Sequence, residues 1–354
     1  GEETLAAGFP GGKPTAEELN GASNLVDALF GLKMEETLTC DELSGGDIST
    51  DMDEGKVSSE MEPAVKSFDL LRKLVCNIQG GVEQISAPGG KPAAPVNINF
   101  IQEGINLSLG GKIEKRSEVL GRDAVWTRTQ RIARLPPIIT VQFGRFYWKQ
   151  TPDSMDHTGV KCKVMKPVTF QSTLDMYEFC TEKVQSVLRV HRAKALADDE
   201  ERINKKMKGS DDGDAMDVST DAAPAATSET NDEDEDAALQ AALAMSMETD
   251  NVSTEPQKQP PVGPGLPDSF QGIYELFAVV THKGRNADGG HYMGWVKAEH
   301  QGENAKIADT DEVNDDWFVF DDDEVSPCKT EDVLKLKGGG DWHMSYLNFY
   351  RAKK

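Results

Sequence analysis

Near its C-terminal end the chain has three apolar runs whose pattern is that of β-strands. They cover 276–281, 292–296 and 317–320 and are rich in β-branched and aromatic residues. Such runs, with apolar and polar positions alternating at a period of two, indicate strands with one buried face. A glycine-rich loop at 284–290 separates the first two runs. We therefore predict neighbouring strands joined by this loop.

The hydrophobic pattern also predicts elements in the first half of the chain. Apolar residues recur at helical spacing over 25–30 and stop at Gly31, which predicts a short helix, and 34–39 follows as a strand. Residues 138–143 have no clear polar face, which predicts a central strand that is buried on both sides. Apolar residues at helical spacing predict a second helix over 177–197.

Composition divides the chain where this patterning fails. Residues 1–23 are rich in Gly, Ala, Pro and acids, and 196–267 form an acidic stretch with almost no aromatic side chains. Such segments bury too little apolar surface to offset their chain entropy, so we predict disorder in both. The folded parts are then 24–195 and 268–354. One island in the insert, 232–250, places five acids before an Ala- and Leu-rich helix.

The net charge of −23 excludes one class of partner. Nucleic-acid binding needs clustered Lys and Arg against the phosphates, so we expect no nucleic-acid partner. The sequence has no apolar run of membrane-spanning length and no signal peptide, so we expect no membrane association. Its five cysteines are odd in number and form no CxxC pair, which is typical of a reducing compartment. We therefore expect a cytoplasmic or nuclear location, or both.

Candidate chemistry centres on one histidine and three acids. His291 starts the second apolar run, and Asp321, Asp322 and Asp323 follow the third. An aspartate that holds an imidazole by one nitrogen fixes its tautomer and leaves the other nitrogen to act as a base. The spacing alone leaves open that His291 is a loop histidine without chemistry and that the acids form a solvated turn.

At these segments the sequence resembles a known family. Its GGHY and FDDD motifs, which contain His291 and Asp321, resemble those of the ubiquitin-specific proteases, a family of cysteine deubiquitinases. The similarity extends to LPPIITVQFGRF at 135–146, KPVTFQSTLDM at 166–176 and GGGDWHMSYLNFY at 338–350. Several ordered motifs are more specific than one. The residues of these motifs are most similar to those of the proteasome-associated branch, the homologues of yeast ubiquitin-specific protease six.

The resemblance implies an α+β fold of the papain-like cysteine protease type, in which a thumb, a palm and fingers grip ubiquitin. Residues 24–195 would form the fingers and the first part of the palm, and 268–354 would complete the palm. The family carries its nucleophile in a Gly-Asn-x-Cys box at a helix N-terminus, where a thiolate is stabilised. This sequence contains no such box. We therefore expect a fragment without most of the thumb and without the branch's N-terminal ubiquitin-like domain.

The resemblance also implies roles for individual residues. His291 would act first as general base and then as general acid, Asp321 would orient it, and Asp322 would support either the oxyanion or the histidine. Glycines in the adjoining loop would let the backbone of the substrate's C-terminal tail approach closely. The residues that would bind this tail are Gly289, Gly290 and Tyr292.

None of the five cysteines has the sequence context of a nucleophile, because none follows a Gly-rich turn into a helix. Cys40 and Cys76 match positions in the fingers where other family members carry zinc-binding CxxC pairs. A structural zinc site needs four ligands, so we predict two ordinary buried thiols, no metal and no cofactor. Without a nucleophile, we expect this chain to be inactive alone.

The helix predicted within 232–250 resembles a ubiquitin-interacting motif. Such a helix binds in a groove through residues spaced at i, i+3, i+4 and i+7 along one face. A generic Ala-rich helix in an acidic linker is the alternative. The residues on the predicted binding face are Leu239, Ala242, Leu243 and Ser246.

The resemblance therefore predicts a thiol-dependent hydrolase that removes ubiquitin from conjugates. Its partners would be ubiquitin and ubiquitinated proteins and, through the branch resemblance, the proteasome. The alternative function belongs to another class: a non-catalytic scaffold that binds ubiquitin and has lost its thumb.

Overall fold

The computed structural model describes residues 24–42, 62–79, 97–149, 160–208, 262–285, 289–298 and 315–353. The chain divides into two compact units, one formed by Gly1–Arg192 with Pro261–Lys354 and the other by Ala193–Pro260. The second unit is described only as far as Lys208, where its residues are helical. The predicted ubiquitin-interacting residues 239–246 and the lead-in 1–23 lie outside the described residues.

Strands outnumber helices in the described part of the chain. The helices are α1 (Leu25–Phe30), α2 (Ile101–Leu109), α3 (Glu182–Lys208) and α4 (Thr330–Leu334), with 3-10 turns at Tyr177–Phe179 and Lys335–Lys337. The strands are β1 (Leu32–Cys40), β2 (Val65–Leu71), β3 (Leu74–Cys76), β4 (Gly110–Arg116), β5 (Asp123–Arg134), β6 (Ile138–Phe143), β7 (Phe146–Lys149), β8 (Val160–Lys163), β9 (Thr173–Asp175), β10 (Ile273–Lys283), β11 (His291–Lys297), β12 (Asp316–Asp321), β13 (Glu324–Lys329) and β14 (Met344–Ala352).

The larger sheet has eight strands in the order β13-β12-β11-β10-β14-β6-β3, with β9 also paired to β10. The strand β6 lies between β14 and β3, and four of its six residues are buried, which confirms the central strand predicted at 138–143. Trp295 on β11 and Trp317 on β12 are buried on one face, while Tyr292 and Val296 on the other face are exposed. The alternation predicted for the C-terminal runs is therefore the pleat of this sheet.

Within the described residues, β7 and β8 form a separate two-stranded sheet, and a third sheet has four strands in the order β2-β1-β5-β4. Its own core is a separate small cluster around the buried Trp126, whose indole nitrogen donates to the carbonyl of Lys115 at 2.9 Å. Cys40 belongs to this cluster. Cys76 does not, because it ends β3 in the eight-stranded sheet. Cys40 and Cys76 therefore lie in different sheets, and both thiols are buried as predicted, while their assignment to the fingers stays a prediction.

One buried cation ties together the segments that flank the C-terminal strands. Arg145 is fully buried, and its guanidinium donates only to backbone carbonyls: Ser345 at 2.7 Å, and Val164, Lys166 and Lys337 at 3.1 Å each. Burial lowers the pKa of Arg145 to about 10, so the side chain stays charged at neutral pH. Its planar fork of donors lets one residue hold three chain segments in place.

The structure differs from the predicted boundaries of the acidic insert on both sides. The helix α3 begins at Glu182, after a 3-10 turn, and runs to Lys208 instead of ending near 197. Good helix formers and exposed i,i+4 pairs such as Glu201 with Lys205 support this extension. At the other side, Val262 and Leu266 are already buried, so packing resumes before residue 268.

Close backbone contacts fix the position of the segment at Val262, where the chain packs against the core again. The amide of Leu135 donates to the carbonyl of Val262 at 3.2 Å, and a side chain at Gly263 would collide with the carbonyl of Leu135. Two apolar residues and a glycine therefore anchor the segment, although its composition resembles that of the insert before it. In the described ranges, no helix is both long enough and apolar enough to span a membrane.

Candidate active site

The register of β11 and β12 places the predicted catalytic residues side by side. Gly294 pairs with Phe320, so Asp321 at the end of β12 falls opposite Met293, and His291 at the start of β11 lies two positions further along the same face of the sheet. His291 Nε2 contacts Asp321 Oδ1 in a hydrogen bond. The carboxylate can only accept, so Nε2 carries the hydrogen and Nδ1 is the nitrogen left to take a proton. Both side chains are roughly half exposed, so a reactant can reach the ring.

The other two acids form the turn between β12 and β13. Asp321 pairs with Glu324, so Asp322 and Asp323 are the two turn residues, and Asp322 has a φ of 51°. A left-handed residue is typical of a two-residue hairpin turn, and Asp is among the residues that tolerate it. This turn brings a carboxylate oxygen of Asp322 close to the catalytic pair. The role of Asp322 as a support for the oxyanion or the histidine stays a prediction.

The geometry of the three side chains also bears on metal binding. One candidate ligand atom from each of His291, Asp321 and Asp322 lies within 4.8 Å of the others. A cation held between His291 and Asp321 would have to displace the hydrogen bond that joins their ring nitrogen and carboxylate. The arrangement therefore fits proton transfer better than metal ligation.

A second histidine, missed by the sequence analysis, lies behind the catalytic ring. His343 is buried, and its ring meets that of His291 edge to face at a centroid distance of 5.6 Å. Its Nδ1 lies 3.2 Å from Thr281 Oγ1, which in turn accepts from Trp295 Nε1 at 3.1 Å. Burial, and then the charge on His291, lower the pKa of His343 to about 4. His343 is therefore neutral at neutral pH, and it packs behind the His291 ring instead of acting as a base.

The two predicted loop glycines have different structural requirements. Gly290 has a φ of 135°, and a side chain there would collide with the ring of His282 and the carbonyl of Lys283. Only glycine fits such a position without strain. A side chain at Gly289 would meet open space, and its carbonyl lies 3.3 Å from His282 Nε2. The predicted role of both glycines in passing the substrate tail remains a prediction.

An aromatic cluster borders the loop on its other side. Tyr292 is 48% exposed. The centroid of its ring lies 4.7 Å from that of His282 and 6.3 Å from that of Tyr346. Phe146 packs edge to face against both His282 and Tyr346. Flat, partly exposed rings beside a glycine loop offer an apolar surface to an extended peptide. The role of Tyr292 in binding the substrate tail stays a prediction.

Two exposed contacts join the loop to the segment before β14. Arg285 forms an ion pair with Asp341 at 3.0 Å, and Lys283 Nζ lies over the ring of Trp342 at 4.6 Å. All four residues are near the surface, where salt and water weaken such contacts. They bring the loop that precedes His291 close to the segment that carries His343.

Three of the five cysteines, all within the described ranges, have thiols whose environment disfavours the thiolate. Burial raises the pKa of the Cys76 and Cys180 thiols to about 12 and that of Cys328 to about 11, so these thiols stay protonated at neutral pH. A thiolate is the nucleophilic form, and reactive cysteines have a lowered pKa. Cys40 is buried in the four-stranded sheet, and Cys162 is half buried in β8.

Comparison with known proteins places the chain in a family. Residues 9–350 match the family model described as ubiquitin carboxyl-terminal hydrolase. "Ubiquitin carboxyl-terminal hydrolase 6" of Arabidopsis thaliana is 30% identical over 341 residues, covering 96% of this chain and 55% of that protein. "Ubiquitin carboxyl-terminal hydrolase 14" of Caenorhabditis elegans is 28% identical over 261 residues, covering 73% of this chain and 42% of the relative. The chain thus spans about half the length of the curated relatives it matches.

Among solved structures, one similar chain comes from the SAGA Ubp8/Sgf11/Sus1/Sgf73 DUB module bound to ubiquitin aldehyde. It is 15% identical, the match covers 95% of this chain and 44% of that one, and the TM-score is 0.44. The family match confirms the predicted α+β fold class and the resemblance to the branch that includes the hydrolases numbered six. The chain belongs to the ubiquitin carboxyl-terminal hydrolase family of cysteine deubiquitinases.

Proposed function

We propose that the whole protein is a ubiquitinyl hydrolase that cleaves the isopeptide bond after the C-terminal glycine of ubiquitin. The hydrogen bond from His291 Nε2 to Asp321 is the observation that carries this proposal. It leaves Nδ1 as a base on a half-exposed ring beside a glycine loop, and family membership supplies the reaction class.

The proposed reaction is that of a thiol hydrolase. His291 Nδ1 takes the proton of a cysteine thiol, and the thiolate attacks the carbonyl carbon of the terminal glycine. The tetrahedral oxyanion collapses to a thioester while the imidazolium gives its proton to the leaving lysine amine. Asp321 stabilises the imidazolium between these steps, and His291 then activates the water that hydrolyses the thioester.

The attacking thiol would come from outside the 354 residues, because burial raises the pKa of the Cys76, Cys180 and Cys328 thiols and Cys40 is buried. The remaining cysteine, Cys162, does not follow a Gly-rich turn into a helix. This chain should therefore bind but not hydrolyse ubiquitin conjugates. We propose ubiquitin and ubiquitinated proteins as partners on the ground of family membership. The proteasome is a further proposed partner, supported by the resemblance to the branch of the hydrolases numbered six.

Two finer proposals rest on the sequence alone. The helix within 232–250 would bind ubiquitin weakly and add avidity to the catalytic domain. Titration of the 230–252 peptide against labelled ubiquitin tests this, because Ala242→Asp should abolish the shifts that the parent peptide causes. The location would be cytoplasmic, nuclear or both, which imaging of the tagged whole protein would test.

The proposed activity is tested with a fluorogenic substrate attached to the C-terminus of ubiquitin. We expect the whole protein to cleave it, His291→Ala to reduce kcat by about 10⁴-fold or more, and the 354-residue chain to show no turnover. Full turnover by His291→Ala would contradict the assignment of the base. Ubiquitin binding by the whole protein without turnover would favour the alternative function of a non-catalytic scaffold.

A further inference from the structure

A buried ammonium group lies beneath the loop that leads to His291. Lys163, the last residue of β8, is 8% exposed. Its Nζ lies 2.6 Å from His282 Nδ1, 2.9 Å from the carbonyl of His282 and 3.0 Å from the carbonyl of Gly284. An ammonium has three donors and no acceptor, so these acceptors use all of them.

This arrangement decides the tautomer of His282. Because Nδ1 accepts from Lys163, the hydrogen of the neutral ring must be on Nε2. Nε2 lies 3.3 Å from the carbonyl of Gly289, so it donates there. The His282 ring therefore bridges the start and the end of the loop, and the absence of a side chain at Gly290 gives it room.

The charge of Lys163 is stabilised mainly by dipoles. Among the described residues, no ion pair joins Lys163 to a carboxylate, and its polar contacts are the ring nitrogen and the two carbonyls. Burial, and then the nearby Arg145, lower the pKa of Lys163 to about 8. Burial and then the charge of Lys163 also lower the pKa of His282, which keeps the ring neutral. A buried charge held this way is costly, which points to a role beyond packing.

We propose that Lys163 is a positioning residue for the catalytic His291, acting through the tautomer of His282 to hold both ends of the loop 284–290 together. His291 pairs with Lys283 at the last position of the β10–β11 ladder, directly after the loop. Any movement of the loop's second end therefore moves the catalytic ring. The role in catalysis rests on the proposed function, whereas the tautomer and the loop geometry can be tested without it.

The proposal predicts a particular dependence on pH. As pH rises through about 8, Lys163 loses a proton in the folded chain, and the neutral amine has too few donors for three acceptors. The loop should then loosen. Among the described residues, the other polar or titratable groups that interact with Lys163 or His282 include Arg145, Tyr292 and His343. Burial raises the pKa of Tyr292 and lowers that of His343 to about 4, so neither titrates near pH 8.

Global stability should change in the opposite direction. The unfolded chain keeps the proton of Lys163 up to its ordinary pKa of 10.5, whereas the folded chain loses it near 8. Between these values the unfolded state binds more protons, so the free energy of unfolding rises with pH. Lys163→Met should remove both the loosening of the loop and this rise in stability.

The direct test is NMR of the imidazole nitrogens in the ¹⁵N-histidine-labelled 354-residue chain. We expect His282 to be neutral with its hydrogen on Nε2 at pH 7, and to shift with a midpoint near pH 8. Lys163→Met should abolish that transition and shift the His291 nitrogens, while Lys183→Met on the exposed surface of α3 should change neither. A His282 hydrogen on Nδ1 in the parent chain would overturn the proposal, and this measurement needs no variant.

A second test measures catalysis in the whole protein. Lys163→Met should lower kcat on the order of tenfold with KM within about twofold, because small displacements of a catalytic group act on the chemical step. His282→Leu should cost about as much, and the double variant should cost no more than either one, since both act through one chain of bonds. Additive losses, or a change in KM alone, would overturn the positioning role. If His291→Ala keeps full activity, the proposed function fails, but the NMR result still decides the tautomer.

Discussion

Two imidazoles stand at the two ends of the loop 284–290, and they have opposite partners. His282 at the start is fully buried against the ammonium of Lys163. His291 at the end is 39% exposed in its side chain and bonded to the carboxylate of Asp321. A cationic partner disfavours protonation of a ring, whereas an anionic partner stabilises the imidazolium. The same side chain is therefore suited to structure at one end of the loop and to proton transfer at the other.

The comparison also shows why the two sites cannot be exchanged. A catalytic base must be reachable, so its position depends on an exposed strand end and a surface turn. A side chain at such a position makes few contacts that hold it in place, because exposed ion pairs contribute little to stability. The rigidity comes instead from buried neighbours: His343 behind the ring, and the bonds from Lys163 through His282 to Gly289.

The largest expected effect comes from removing the anionic partner. Asp321→Ala in the whole protein should lower kcat by about 10²–10⁴-fold, because the ring loses both its fixed tautomer and the stabilisation of its charged form. The matched control is Asp323→Ala, in the same acidic turn, which should stay within about twofold because small surface changes alter little. The measurement for both variants is the turnover of a fluorogenic substrate attached to the C-terminus of ubiquitin. Equal losses in the two variants would mean that the turn as a whole, and not one carboxylate, serves His291.

An intermediate effect is expected where the two ends of the loop approach each other. Gly290→Ala should lower the free energy of unfolding of the 354-residue chain by about 1–3 kcal/mol, because its φ of 135° and the His282 ring both exclude a side chain.

Gly289→Ala is the matched control for this change, because a methyl group there meets open space. It should change the free energy of unfolding by less than about 0.5 kcal/mol. Urea unfolding followed by tryptophan fluorescence measures both variants. Equal stability of the two would show that the loop adjusts freely and that His282 does not constrain it.

The smallest expected effect concerns the exposed contacts between the loop and the segment before β14. Arg285→Ala removes the ion pair with Asp341, and we expect no measurable change in Tm, because both side chains are exposed. Differential scanning fluorimetry at low and high salt measures this, with Asp341→Ala as the partner variant. A clear loss of stability at low salt that disappears at high salt would contradict this. It would show that the ion pair holds the loop as firmly as the buried bonds from Lys163 through His282 do.

The sequence predicted that His291 and Asp321 would lie together because the signal is local. His291 follows a glycine loop into β11, and Asp321 ends β12, the neighbouring strand in the sheet, so strand alternation and a familiar motif suffice. The central strand at 138–143 was predicted for a similar reason, since a strand without a polar face must be covered on both sides.

Other parts of the fold could not be predicted because their contacts are distant in sequence. The sequence did not show that Cys40 and Cys76 lie in different sheets, because β3 is three residues long and its parallel partner β6 is far along the chain. The composition of the segment at Val262 is typical of a linker. Its carbonyl nevertheless accepts a hydrogen bond from the amide of Leu135. A few buried contacts outweigh composition when they fix a backbone segment.

By itself the sequence determined the family and the α+β fold class, and it predicted the base and its aspartate, because local patterns and short motifs carry that information. Only the tertiary structure decided which nitrogen of His291 stays available, that His343 lies behind it, and that Lys163 reaches His282 from 119 positions away in the chain. Those facts depend on strand register and on which polar atoms are buried together. A buried donor must find an acceptor, and the fold, not the local sequence, decides which one it finds.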